Sequence, residues 1–145
     1  MKKIKALAEG LYEKYGSCDP FRLCGELSVN VFKSPLPSSV SGFYYNVDGR
    51  SVIIVNEALK PPKDSFVAAH ELGHALLHPN TNSFFMKTKT ALETGRFERQ
   101  ADYFAACLLL CKWKESAEFS DLSIDSLSSV TGIDPAALEA YKREL

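Results

Sequence analysis

One stretch constrains this chain more than any other. Phe66 to His78, preceded by Pro61-Pro62 and closed by Pro79, reads as a helix centred on His70-Glu71-Leu72-Gly73-His74, with Asp64 or Ser65 as its N-cap. At about 3.6 residues per turn, positions four apart share a face one turn apart, so both imidazoles can reach a single cation. Glu71 falls about 100° around the helix from His70, close enough to hold a water on that cation without ligating it. That is where a general base is needed, and H-E-x-x-H inside a helix carries this chemistry. A catalytic zinc usually takes three protein ligands and leaves a fourth position open, so another element must supply one more donor.

The remaining histidine, His78, lies a further turn along the same rigid helix, too far to complete a tetrahedron easily. A metzincin would need glycine three residues and histidine six residues after His74, where Leu77 and Asn80 stand. The better donor is Glu98, on a long helix expected from Leu92 to about Lys114. Asp102, four residues on, is placed to accept a hydrogen bond from a ligand imidazole and fix its tautomer. Glu93 is the rival carboxylate but lacks an acidic partner four residues later. Gly73 on one helix and Ala101 and Ala105 on the other would let the two backbones approach closely. Two imidazoles and a carboxylate suit Zn2+, and also accept Mn2+ or Fe2+.

The rest of the chain supplies the scaffold. At 145 residues it is expected to form a single domain, residues 1–145, and its 46% hydrophobic content is ample for a core. Ile4, Leu7, Ala8, Leu11, Tyr12 and Tyr15 make residues 2–15 an amphipathic helix, and Asp19 with Pro20 caps a second to about Leu27. Ser28 to Lys33 reads as a strand. Ser41–Val47 and Arg50–Asn56, joined by Asp48-Gly49, read as a hairpin with a two-residue type I′ turn, so an antiparallel sheet is expected. Phe84-Phe85-Met86 suggests a further short strand, or hydrophobes folding back on the core. Segments around Ser123 to Val130 and Asp134 to Glu144 close the chain as short helices.

Seventeen basic and eighteen acidic residues leave a net charge of −1, without the excess that drives binding to nucleic acid. A helix, Thr131-Gly132 and a second helix superficially suggest a DNA reader, but Asp121 to Leu145 holds five acids against Lys142 and Arg143. Core-covering helices are expected there, with no direct contact to nucleic acid. Glu9 and Glu13 interrupt any apolar leader, and the longest apolar run, Phe104 to Cys111, is eight residues, too short for a bilayer. A cytoplasmic protein is therefore expected. Cys18, Cys24, Cys107 and Cys111 match no zinc knuckle and read as free thiols.

Three pieces together resemble the ImmA/IrrE metallopeptidases: the strand ending Ile53-Ile54-Val55-Asn56, the run His70 to Pro79, and Glu98-x-x-Ala101-Asp102-x-Phe104-Ala105-Ala106-x-Leu108-Leu109. The resemblance spans roughly residues 40–112. It implies an α+β fold, a compact minimal zinc-peptidase core of the thermolysin-like type, with a small, largely antiparallel three-stranded sheet and about five to six helices. It further implies His70, His74 and Glu98 as ligands, Glu71 as catalytic acid/base, and a helix-turn-helix repressor as the protein cleaved, derepressing a mobile element or stress response. Two positions depart from the family: Leu110-Cys111 stands where Met-Pro is frequent, and Asp102 where Asn is common. Neither is an expected ligand.

The expected reaction is hydrolysis of a peptide bound extended along a strand edge, with an oxyanion donor to be found among Tyr44, Tyr45, Arg96, Arg99 and Tyr103. The competing expectation is an antirepressor that keeps the metal for stability and sequesters its target without cutting it.

Overall fold

The computed structural model describes residues 1–80, 91–114, 116 and 118–145, with the side chains of 91–94 excepted. Among these lie six α-helices and three strands: α1 (Lys2–Tyr15), α2 (Pro20–Glu26), β1 (Asn30–Ser34), β2 (Gly42–Val47), β3 (Arg50–Asn56), α3 (Lys63–Leu77), α4 (Ala91–Leu109), α5 (Ile124–Thr131) and α6 (Pro135–Arg143). The expected Phe84–Met86 segment and the Glu93 side chain fall outside the described residues.

Local chemistry explains most boundaries. The Asp19 carboxylate accepts from the Phe21 N–H at 3.0 Å with Pro20 in the first helical position, and Gly16 ends α1 at φ 66°. At the hairpin, Asp48 and Gly49 take φ of 51° and 78°, the paired positive angles of a type I′ turn. α3 begins earlier than expected, at Lys63, with neither candidate acting as its N-cap. Asp64 sits inside the first turn instead, its Oδ2 held by Lys33 at 2.9 Å and its Oδ1 by the Ser65 N–H at 2.9 Å. α4 ends at Leu109, five residues short of the expected Lys114, as backbone bonds tighten to i−3 at Cys111 and Trp113.

The sheet order is β1-β3-β2, and it is mixed. β2 and β3 form the expected antiparallel hairpin, Gly42 opposite Val55 and Val47 opposite Arg50. β1, however, runs parallel to β3, Asn30 beside Val52 and Ser34 beside Asn56, which corrects the expectation of an antiparallel sheet. The central strand carries the fully buried Ile53 and Val55 towards α3, which also packs on α2, β2 and α4. α5 and α6 lay Leu127, Leu138 and Tyr141 into the same core, the covering role expected of them. All four cysteines are free thiols, and no helix among the described residues is long and apolar enough to cross a membrane.

Candidate metal centre

α3 and α4 pass so closely that a Cβ built on Gly73 would lie 3.2 Å from the Ala101 Cα and 3.1 Å from Phe104. Hydrogen at that position lets the histidine face of α3 sit directly against the acidic face of α4. His70 Nε2 and His74 Nε2 lie 3.2 Å apart, and the Glu98 carboxylate reaches both, Oε2 at 3.0 Å from the first and Oε1 at 2.9 Å from the second. Donors on a tetrahedral ion with bonds of about 2.0–2.1 Å stand roughly 3.3 Å from one another, so these separations fit a metal of that size. One atom from each of the three residues lies within 4.8 Å of the others, an arrangement able to hold an ion.

Exposure rises across the cluster, from a fully buried His74 side chain through His70 at 13% to Glu98 at 44%, so the site opens towards solvent on its carboxylate side. The opening is a cleft of about 360 Å³ lined by Gly42, Phe66, Val67, Glu71 and Asp102, with the turn between α5 and α6 contributing Gly132 and Asp134. Glu71 is 6% exposed, with Oε2 3.9 Å from His70 Nε2.

The outer nitrogens of both imidazoles are also engaged. His70 Nδ1 lies 2.7 Å from Asp102 Oδ1, the bond anticipated from spacing. His74 Nδ1 lies 3.1 Å from His78 Nδ1, and His78 Nε2 is 2.6 Å from Gln100 Oε1. His78 is thus absent from the cluster, as expected, but touches it from behind.

Electrostatics follow from this crowding. Burial alone would push His70 down, but the hydrogen bonds it donates to Asp102 and Glu98 outweigh it and hold the imidazole up at about 10. Burial likewise pushes Glu98 up, and the two imidazoles overcome it, keeping the carboxyl well below the usual range. A site that so favours positive charge beside its acids is suited to a cation. His78 is held below its ordinary value, burial outweighing the hydrogen bond to Gln100.

The five side chains considered for oxyanion binding lie elsewhere. Tyr44 is fully buried with its hydroxyl donated to the Pro79 carbonyl at 2.8 Å. Tyr103 is buried against Tyr141, Arg96 lies over the Phe97 ring, Arg99 lines a neighbouring cavity beside α6 that borders the cleft at Asp102, and Tyr45 faces the hairpin turn. Lys63 is the lysine among the described residues lining the cleft. Nothing in the sequence marked it, since it enters only through the early start of α3.

An H-E-x-x-H helix crossed by a second helix bearing a carboxylate and its acidic partner defines a metallopeptidase-type core. Residues 24–126 match the family model Peptidase_M78, the IrrE N-terminal-like domain, and the chain belongs to that family. It is 34% identical over 140 residues to uncharacterized immunity region protein 2 of Bacillus phage phi105, covering 96% of this chain and 88% of that one. Against metallopeptidase ImmA of Bacillus subtilis (strain 168) it is 27% identical over 110 residues, 75% of this chain and 64% of that protein's length.

Proposed function

We propose that this chain is a zinc-dependent endopeptidase that cuts a helix-turn-helix repressor. The observation that carries the reading is the convergence of His70, His74 and the Glu98 carboxylate on one point beside Glu71. His70, His74 and Glu98 would hold the ion, which when bound supplies Lewis acidity to a peptide carbonyl and acidifies the attacking water. Glu71 takes the proton from that water and returns it to the leaving amine. Asp102 accepts from His70 Nδ1–H and keeps the facing nitrogen free to ligate. The substrate lies extended beside β2, an outer strand of the described sheet whose Gly42 lines the cleft. A repressor is the target that the resemblance to ImmA/IrrE enzymes implies, and an immunity-region relative in a phage supports it.

The test pairs the zinc-loaded chain with a candidate repressor and reads cleavage by mass spectrometry beside derepression in cells. Glu71→Gln is expected to keep zinc and binding while losing cleavage by at least about a hundredfold. If that variant still relieves repression as wild type does, sequestration suffices and the peptidase reading of the biological role fails.

A further inference from the structure

We infer that His78 is a positioning residue for the metal site: through its Nδ1 it fixes the tautomer of His74, with Gln100 setting the tautomer of His78 in turn. The inference rests on the metal reading above and concerns a residue that reading leaves without a role.

The two metal-facing imidazoles are held in different ways. His70 is part exposed and leans on a carboxylate, Asp102. His74 is fully buried, so solvent cannot satisfy its outer nitrogen, and the group facing it is another imidazole, that of His78. Two neutral imidazole nitrogens 3.1 Å apart form a hydrogen bond only if one carries the proton and the other the lone pair. The far side of His78 decides which. Gln100 presents its carbonyl oxygen to His78 Nε2 at 2.6 Å, and a carbonyl oxygen only accepts, so the Nε2 of His78 is the protonated nitrogen. Its Nδ1 is then an acceptor, and His74 donates from Nδ1. That leaves the lone pair of His74 on Nε2, the atom 3.2 Å from His70 Nε2 and 2.9 Å from Glu98. The reverse polarity would aim an N–H at the ion.

The His78 ring is held where this relay needs it. The residue is the C-cap of α3, its N–H bonded to the His74 carbonyl at 2.8 Å, and it is 7% exposed. Phe97 of α4 covers the ring at a centroid distance of 4.2 Å, and Tyr44 ties down the next residue, Pro79, through its carbonyl. α4 therefore reaches both ligand histidines from outside as well as the ion from within: Asp102 behind His70, Gln100 through His78 behind His74.

Two substitutions separate this role from packing. Phenylalanine at 78 keeps a ring against Phe97 but has no acceptor; asparagine loses the ring but places an oxygen at the δ position. Zinc affinity of the full-length, metal-free protein is measured by competition with a chromophoric chelator for wild type, His78→Phe and His78→Asn. His78→Phe is expected to bind zinc about 10- to 100-fold more weakly, and His78→Asn to recover most of that loss. In the zinc-loaded wild type, long-range 1H–15N correlation spectra are expected to show His74 protonated at Nδ1 and His78 at Nε2. Wild-type affinity in His78→Phe, or His78 protonated at Nδ1, overturns the inference while leaving the metal site standing. A wild-type chain that does not bind zinc overturns the metal reading and this one with it.

Discussion

Asp102 shows how much one side chain decides here. Its Oδ1 accepts from His70 Nδ1–H at 2.7 Å and so holds the ring in the tautomer and orientation that ligation needs. Asp102→Ala is expected to weaken zinc binding about 10- to 100-fold, and Asp102→Asn, which keeps an accepting oxygen, to lose much less; chelator competition reads both. The cysteines behave oppositely, as groups kept from acting. Burial raises the thiols of Cys24 and Cys107 to about 12 and that of Cys111 to about 11, and also raises that of the partly buried Cys18. A raised thiol pKa means little thiolate at neutral pH, since the reactive anion appears only as pH climbs towards that value. At pH 7.5, alkylation with iodoacetamide is expected to mark Cys18 slowly and the other three only after unfolding, as peptide mass mapping would show. Rapid native labelling of Cys24 or Cys107 would contradict that burial.

Among the elements, the α3–α4 crossing carries the site, and its closeness depends on Gly73. Gly73→Val puts branched carbon where the Ala101 backbone and the Phe104 ring already lie 3.2 and 3.1 Å from a modest Cβ. Overpacking of this kind costs about 1–3 kcal/mol, and it should also draw Glu98 away from the histidines. Lower stability to urea together with weaker zinc binding is the expected outcome; a loss of stability alone would mean that the helices yield without moving the ligands. The crossing was legible in outline, because small residues on the faces bearing His70, His74, Glu98 and Asp102 announce close packing. The sheet was legible only where its pairing is local. Asp48-Gly49 specifies the β2–β3 hairpin through its turn angles, whereas nothing in the alternation of β1 says which neighbour it joins or in which direction. Parallel pairing of β1 with β3 depends on the path the chain takes between them.

For the molecule entire, a bound ion would join elements that the chain separates: α3 would supply two ligands and α4 the third, while the α5–α6 turn forms one wall of the cleft. A metal that binds only the folded chain stabilises it by mass action, about 2.7 kcal/mol at free metal a hundred times the dissociation constant. For a domain of 145 residues this predicts a melting point roughly 5–10 °C lower after EDTA than in the zinc-loaded protein, restored by adding zinc back. An unchanged midpoint would place any metal outside the folded core. The sequence by itself determined what depends on short separations: the helix with its two histidines and Glu71, the Asp19-Pro20 cap, the hairpin, and the Glu98-Asp102 pair, all set by the fixed geometry of a turn of helix or a tight turn. Only the tertiary structure decided the parallel placement of β1, the entry of Lys63, Gly132 and Asp134 into the cleft, and the His74-His78-Gln100 relay. These contacts join residues up to dozens of positions apart, and their geometry comes from how whole elements pack, which no local periodicity encodes.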